Sequence, residues 1–279
     1  MSPDTHPNVR DHSTSYWLTT LDLDDLCCLY SDGKGYLPAD EVDRLVQDLV
    51  DGMPGYNPTE YFSIHPDIFN RYEHVLIAKS KQDGRMKGLL GARWFASHDF
   101  RFLYLWSGFV ATSAQKRGLM TRMFGHLMTQ ILQQHPMPPV IAAKTYSPIW
   151  YKVMSKIAAA IPGAMLYPSI DKAQQPAMVE IASRVHRLVT PALPMESRSG
   201  VIRGAQAAIG NGFFPAERPT TGTADLDRFF LKNVTRDDQV LTCIDVSTID
   251  QPTILRAIET MKSGPVGNSE TSIGALRSS

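Results

Sequence analysis

Residues 103–132 read LYLWSGFVATSAQKRGLMTRMFGHLMTQIL, and this stretch decides the fold. An apolar, aromatic run predicts a strand over residues 100–111. A polar turn follows. Beyond it, apolar residues recur every three or four positions, which predicts a helix over 118–134 that ends before Pro136. A strand that leads through a short turn into a long helix is typical of folds that combine both elements.

The turn from Gln115 to Gly118 has the composition of an anion site. The start of a helix leaves backbone N–H groups without partners and carries a partial positive charge. Gly118 has no β-carbon, so a ligand can approach the backbone closely there. Lys116, Arg117 and Arg122 add full positive charges. The pattern predicts a receptor for phosphate or pyrophosphate, and a solvated charged face is the alternative.

Further elements flank this unit on both sides. Strand-like runs at 74–80 and 88–97 precede it with short polar links, which predicts an antiparallel meander. A short strand at 139–144, parallel to the strand before the helix, a helix at 147–160 and a short strand at 165–168 follow. The fold class predicted is therefore mixed α/β: an antiparallel meander, a βαβ-type crossover and helices on both faces.

The remaining segments define the domain boundaries. We predict a disordered tail at 1–15, one domain over 16–168, an extension over 169–262 that packs on the core, and a disordered tail at 263–279. Within the domain, the first part is predicted as a β-like run at 16–20, helices at 22–30 and from Pro38, and an irregular aromatic stretch at 55–72. That stretch forms either a pocket wall or a lid. In the extension we predict a helix at 177–189, a helical turn at 225–232 and a strand at 239–246.

Composition excludes several functional classes. The 279 residues carry 28 Lys+Arg against 28 Asp+Glu, so there is no basic excess and we expect no nucleic-acid partner. No apolar stretch approaches the ~18–20 residues of a membrane helix, so we expect no membrane partner. Three cysteines, two of them adjacent, cannot build a disulfide framework, which favours a cytoplasmic protein.

Metal, nucleotide and hydrolase motifs are missing. The chain lacks the patterns of P-loop NTPases, zincins, α/β-hydrolases and Rossmann dehydrogenases. A half EF-hand spans 30–41, but Tyr30 and Lys34 stand at two positions that need oxygen ligands. We therefore predict no metal site.

The central stretch resembles the GNAT superfamily of acyl-CoA-dependent N-acyltransferases. The signature of that family is Gln/Arg-x-x-Gly-x-Gly/Ala between a strand and a helix, and Gln115 and Gly118 match it. Met120 departs from it, because the family has Gly or Ala there. Residues 150–152, Trp-Tyr-Lys, are similar to the family's aromatic-Tyr-x-Lys on the helix after strand five. The resemblance covers residues 16–168 and does not reach 170–279.

The resemblance implies that acetyl-CoA or another acyl-CoA is the co-substrate. Its pyrophosphate would lie on the backbone of 115–121, and its pantetheine arm would pair with the backbone of 109–111. Two central strands would splay apart to hold the thioester, and amides near 107–109 would stabilise the oxyanion. The implied CoA-binding residues are Phe109, Val110, Ala111, Gln115, Lys116, Arg117, Gly118, Leu119, Met120, Thr121 and Arg122.

Catalytic residues are also carried over from the resemblance. Tyr151 would protonate the departing thiolate, since a phenol keeps its proton at neutral pH. Tyr104 stands where several relatives carry Glu, Ser107 where some carry Cys, and Lys144 where many carry Asn. The usual carboxylate base is therefore missing, and the residues leave its replacement open between water and a short list: Glu73, Asp99 and His98.

The function implied is transfer of an acyl group, by default acetyl, from coenzyme A to the amine of a small-molecule acceptor by direct attack on the thioester. A GNAT-like acyl-CoA sensor without catalysis is the first alternative. Transfer of a longer acyl chain is the second, favoured by the many Met and aromatic residues. Residues 225–246 add to the core or supply an edge for a homodimer.

Overall fold

The computed structural model describes residues 19–23, 25–32, 39–210 and 212–263. The predicted tail at 1–15 and residues 264–279 of the predicted C-terminal tail lie outside the described residues, as does most of the run predicted at 16–20. Within the described part of the chain, no helix is long and apolar enough to span a bilayer.

One twisted sheet organises the molecule. Its strands are β1 (Thr19–Leu23), β2 (Leu26–Ser31), β3 (His74–Ser80), β4 (Met86–Ser97), β5 (Phe100–Val110), β6 (Val140–Thr145), β7 (Met165–Tyr167), β8 (Met195–Glu196), β9 (Val201–Ile202) and β10 (Gln239–Asp245). Their order is β1-β2-β3-β4-β5-β6-β10-β9-β8, with β7 paired to β10. Strands β3 to β5 form the predicted meander, and β5 pairs with β6 in parallel. The mixed α/β fold predicted from the sequence is confirmed.

Helices cover both faces of the sheet. They are α1 (Ala39–Gly52), α2 (Pro58–Ile64), α3 (Ile68–Arg71), α4 (Leu119–Leu132), α5 (Pro148–Ala160), α6 (Pro176–Val189), α7 (Ala224–Asn233) and α8 (Gln251–Ser263). Helices α4, α5 and α8 bury their apolar sides against one face. Helices α1 to α3 and α6 cover the other face. Side chains alternate between the two faces along a strand, and helices cover both faces. Strands β5 and β6 are therefore buried on both sides and lie at the centre of the core.

The helix predicted at 22–30 is wrong. Strands β1 and β2 form a hairpin there, and β2 pairs along its whole length with β3. The side chains of Leu26, Cys28 and Tyr30 are buried, which is a period of two and not of 3.6. Leu23, Leu26 and Leu29 happen to fit a helical spacing as well. Pairing with β3 decides between the two periods, and local sequence does not show that partner.

The C-terminal extension, residues 169–262, is the second place where the structure differs from the sequence prediction. Strand β10, predicted at 239–246, lies inside the sheet, where β6 pairs with one edge and β7 and β9 pair with the other. Of the two roles predicted for residues 225–246, this strand therefore adds to the core, because its edges are already paired within the described chain. Helix α8 was not predicted at all. Its apolar residues Ile254, Ala257, Ile258 and Met261 recur at helical spacing and pack on α4.

Candidate functional site

The turn between β5 and α4 exposes six consecutive peptide N–H groups. Gln115 N–H bonds to Thr112 O at 3.3 Å, and Arg122 N–H bonds to Gly118 O at 3.1 Å. Between them, within the described residues, the N–H groups of 116–121 have no acceptor, and no side chain caps the helix. Lys116 and Gly118 both have a positive φ, 63° and 73°. Successive amides in such a turn form a concave anion-binding surface at the positive end of the helix.

The charged residues of the turn divide into two groups. Lys116 and Arg117 are exposed at the turn, and Arg117 lies 3.5 Å from Asp25 in an ion pair that is open to solvent. Arg122 faces elsewhere, because its Nε donates to Lys262 O at 3.3 Å, at the end of α8. The structure therefore leaves two of the three predicted phosphate-binding cations at the turn and assigns the third to packing of α4 on α8.

A gap opens where β5 and β6 separate. The two strands pair at Leu103↔Ile141 and Tyr104↔Ala142, and then diverge. A bulge lies just beyond, because Gly91 pairs with Ser107 whereas Ala92 pairs with Leu105, which leaves Trp106 as the extra residue. The bulge directs Trp106 and Ser107 toward the same face, that of α2 and α6. The splayed arrangement predicted from the sequence is present.

A cleft of about 180 Å³ occupies this gap. Its lining is mostly apolar, with eight aromatic residues among 22, and comes mainly from β5, the end of β6, the start of α5, α2 and the loop before α7. The aromatic residues that line it are Tyr56, Tyr61, Trp106, Phe109, Tyr146, Trp150, Phe213 and Phe214. Polar lining is sparse, and no aspartate or glutamate of the described chain lines it.

The cleft runs into the anion-binding turn. Val110, Gln115 and Met120 line the cleft and flank or belong to the turn. Gln115 Nε2 donates to Val110 O at 3.0 Å, which fixes the start of the turn against β5. Ala111 N–H bonds back to Lys87 on β4. Because peptide groups alternate in direction along a strand, Gly108 and Val110 direct their N–H groups into the gap.

The indole ring of Trp150 packs closely against β5 at Gly108. A β-carbon on Gly108 would fall 2.2 Å from the indole ring, so any larger residue would displace the ring. Met120 is 7% exposed and packs in the core beneath the turn. Its bulk therefore extends into the core and the cleft wall, at a position where the family resemblance has Gly or Ala.

Ser107 lies in a buried network of hydroxyl groups. The Tyr72 hydroxyl donates to Ser107 Oγ at 2.7 Å, and the Tyr61 hydroxyl lies 3.0 Å from the same atom. Burial raises the pKa of Tyr61 to about 12 and that of Tyr72 well above its usual value, so both phenols keep their protons at neutral pH. The network can donate or accept hydrogen bonds, but it supplies no base.

Two residues predicted as catalytic do not reach the cleft. The Tyr151 hydroxyl donates to Pro168 O at 2.5 Å, and its ring packs against Phe230. Tyr104, on β5, is buried, and its ring packs edge-on against Phe95. Neither lines the cleft. The helix start at Ser147 turns Trp150, and not Tyr151, toward the gap, which corrects the acid role predicted for Tyr151.

Substituting Tyr151 with phenylalanine is therefore expected to leave turnover unchanged. The change removes one buried hydrogen bond and leaves Pro168 O unpaired, which should reduce the free energy of unfolding by ~1–3 kcal/mol. Urea unfolding and steady-state rates measured on the same preparation check both parts. A large loss of maximal rate with unchanged stability would restore the acid role.

The residues considered as a replacement base are also outside the cleft. Glu73 lies 3.5 Å from Arg93, and Asp99 lies 2.6 Å from Arg184. His98 is exposed in the turn before β5. None of the three lines the cleft, which leaves water as the proton acceptor among the options considered.

Two polar groups in the cleft stand out. Lys144 on β6 lines it, and burial lowers the pKa of its ammonium to about 8. Gln239 on β10 lines it as well, although sequence inspection did not single it out. The aromatic pair Phe213 and Phe214 closes the cleft from the extension, in a Gly- and Pro-rich segment predicted only as irregular. The extension is thus part of the site.

No protein-family model matches the sequence, and no curated protein does. The structure is similar to several solved acetyltransferases. One is the diaminobutyrate acetyltransferase EctA of Paenibacillus lautus, with TM-score 0.35 and 18% identity over 80% of this chain and 97% of that one. A second is a putative GNAT-family acetyltransferase of Desulfovibrio desulfuricans, with TM-score 0.35 and 17% identity over 47% of this chain and 83% of that one. A third is the ribosomal-protein-S5-alanine acetyltransferase of Vibrio fischeri, with TM-score 0.37 and 9% identity over 55% of this chain and 88% of that one. TM-scores this low establish no shared activity, so the function is derived below from the geometry of the site.

Proposed function

We propose that this protein is an acyl-CoA-dependent N-acyltransferase that acts on a small amine. One observation carries the proposal: six peptide N–H groups at the start of α4, with no acceptor among the described residues, adjoin a cleft between two splayed central strands. The turn suits a diphosphate, and the cleft suits the apolar arm and reacting end of the same molecule. An acyl-CoA has this combination of parts.

The main chain performs most of the binding in this proposal. The amides of 116–121 hold the pyrophosphate, with Lys116 and Arg117 adding long-range attraction. The N–H groups of Gly108 and Val110 hold the pantetheine arm in the manner of an added strand. Four other residues contribute to acyl-CoA binding only through their backbone or their packing: Phe109, Ala111, Leu119 and Thr121. Arg122 is not proposed as a ligand.

The chemistry follows from holding the two reactants together. The acceptor nitrogen attacks the thioester carbonyl, and an N–C bond forms as the C–S bond breaks. A fixed backbone N–H at the bulge stabilises the oxyanion. The acceptor's proton passes to water, since no carboxylate of the described chain lines the cleft. A thiolate with a pKa near 8.5 leaves without full protonation, so the withdrawal of Tyr151 does not prevent the reaction. Positioning supplies most of the acceleration.

Two alternatives keep specific support. The cleft has no carboxylate and Tyr151 is outside it, which favours an acyl-CoA sensor without catalysis. The aromatic lining favours a longer acyl chain, if that lining receives the acyl group rather than the acceptor.

A thermal-shift screen followed by a thiol-release assay tests the proposal. Coenzyme A, acetyl-CoA and hexanoyl-CoA should each raise the melting temperature, whereas NAD, a diphosphate without the pantetheine arm, should raise it less. A ligand at 100 times its Kd stabilises by ~2.7 kcal/mol, which such a screen resolves. Release of free thiol from acetyl-CoA that depends on an added amine supports transfer. Binding without release from any amine supports the sensor, preference for hexanoyl-CoA supports the longer chain, and no shift with any CoA overturns the proposal.

A further inference from the structure

Gln239 presents an unpaired acceptor oxygen to the cleft. Its side chain is 4% exposed, and its Nε2 donates to Gln206 Oε1 at 2.9 Å. Gln206 Nε2 in turn donates to Gly210 O at 3.0 Å, which fixes both amide orientations. Gln239 Oε1 is left without a donor in the described residues. A buried polar atom without a partner costs ~1–3 kcal/mol, so this oxygen favours a ligand that brings a donor.

Lys144 presents an unpaired cation to the same cleft. Its side chain is largely withdrawn from water, and no carboxylate of the described chain contributes to its electrostatics. The titratable groups near it are the Tyr61 phenol on α2, His65 just after α2, His186 on α6 and the Tyr104 phenol, which hydrogen-bonds to the backbone of Lys144. None of them is an anion at neutral pH, because burial raises the pKa of both phenols and lowers the pKa of both histidines. Lys144 itself contributes to lowering the pKa of both histidines. A buried cation without a counter-ion favours an anionic ligand.

The two groups lie on one face of the sheet at a fixed separation. Leu241 pairs with Lys144 and Val240 pairs with Thr145. Gln239, two residues before Leu241, is therefore the diagonal neighbour of Lys144 on the same face. Diagonal neighbours are ~7–8 Å apart at Cα, close enough for both side chains to reach one small ligand. The bulge residue Trp106 and Ser107 point to this face as well.

The rest of the lining determines what such a ligand carries. Tyr56, Phe213 and Phe214 surround the acceptor side with aromatic rings. No carboxylate of the described chain is present there to pair with a second amine, so a polyamine gains nothing and is repelled by Lys144. An acceptor with one amine, one carboxylate and an apolar body satisfies both Gln239 Oε1 and Lys144.

We propose that the acceptor is an apolar or aromatic α-amino acid, whose carboxylate binds Lys144 and whose amino group donates to Gln239 Oε1. This inference rests on the proposed acyltransferase function and names its substrate class. Gln239 holds one N–H of the amine, so the nitrogen lone pair is free to attack the thioester carbon. The N–C bond forms, the C–S bond breaks, coenzyme A leaves as the thiolate, and the proton lost by the nitrogen goes to water. The product is an N-acyl amino acid.

The test compares two acceptors that differ only in the carboxylate, phenylalanine and phenethylamine, with acetyl-CoA as donor. Wild-type protein should have a lower KM for phenylalanine. Lys144→Met should raise that KM by ~10–100-fold, the value of a charge-assisted hydrogen bond, and should leave the KM for phenethylamine within about threefold. Lys156→Met, on the exposed side of α5, serves as the matched control and should change neither value.

Gln239→Leu should raise KM for both acceptors, because both have the amine. Gln206→Leu removes the same side-chain hydrogen bond but keeps Gln239 Oε1, and Gln206 does not line the cleft. Comparing the two variants therefore separates the effect of losing the acceptor oxygen from the effect of losing this buried hydrogen bond. Lys144→Arg keeps the positive charge and should retain the preference for phenylalanine. This result would show that the effect of Lys144→Met comes from the lost charge and not from a change in structure.

The pH dependence has a defined sign. The ammonium of Lys144, whose pKa burial lowers to about 8, is charged below that pH and neutral above it. The KM for phenylalanine should therefore rise as pH increases through 8, and the ratio of wild-type to Lys144→Met values should approach one. With Lys144→Arg the rise should be absent. Titration of the acceptor amine affects all variants equally and cancels in the ratio.

The outcomes separate this inference from the function on which it rests. If coenzyme A produces no thermal shift, the acyltransferase proposal fails. Suppose that coenzyme A binds, but that the KM for phenethylamine equals the KM for phenylalanine, or that Lys144→Met raises both KM values equally. In either case only the substrate class is overturned. Thiol release with neither acceptor, in protein that binds coenzyme A, overturns it too.

Discussion

Replacing Gly118 with glutamate is expected to abolish binding of coenzyme A. The residue has φ 73° and precedes α4, so its side chain would stand beside the N–H groups of 116–121, which have no acceptor in the part of the chain that the structure describes. A carboxylate there competes for those amides and repels a diphosphate. We expect the Kd to increase at least ~100-fold, which corresponds to ~2.7 kcal/mol. Isothermal titration with coenzyme A measures it.

Gly222→Glu provides a matched control. Gly222 also has φ 73°, and a β-carbon there meets nothing within 4 Å. It lies before α7 and does not line the cleft. Both variants therefore have the same added charge and a similar backbone strain of ~1–2 kcal/mol, but only the first should lose binding. Unchanged affinity in Gly118→Glu would refute the anion-binding role of the turn.

A chain that ends at residue 168 is expected not to fold. That fragment corresponds to the domain predicted from the sequence, but it lacks β10, which pairs with β6 from Val140 to Thr145 at the centre of the sheet. It also lacks α8, which buries four apolar residues against the face covered by α4. A central strand left with an open edge and an uncovered core favours aggregation over folding. The fragment should show no cooperative unfolding transition in urea.

A chain that ends at residue 263 is the control, since it keeps every contact described for the sheet and helices. It should unfold cooperatively, with a midpoint close to that of the full chain. A cooperative transition in the shorter fragment would show that residues 1–168 form an independent domain, and that the extension is an addition rather than part of the core.

The sequence predicted those elements whose pattern is strong and local. The meander, the crossover helix, the helix at 147–160 and the helix at 177–189 all have long apolar periodicity or clear turn residues. Where two periods fitted, as at 22–30, the decision came from pairing with β3, which lies more than forty residues away. Helix α8 has a clear periodicity, but its residues were included in the extension without an element of their own.

The site was predicted less completely than the fold. The turn at 115–118 was found because glycine position and charge are visible in sequence. Tyr151 was assigned by resemblance, and its true direction depends on where α5 begins and on the contact with Phe230. Gln239 could not be found, because its role comes from a strand inserted beside β6 and from an amide chain through Gln206.

Two of the four tryptophans, Trp106 and Trp150, line the cleft, and Trp150 lies against Gly108 in the gap. Any molecule that enters this space must change the surroundings of at least one indole ring. Intrinsic fluorescence therefore reports occupancy without a label, and stopped-flow mixing would resolve the order in which donor and acceptor arrive. Trp150→Phe would assign that signal to its source.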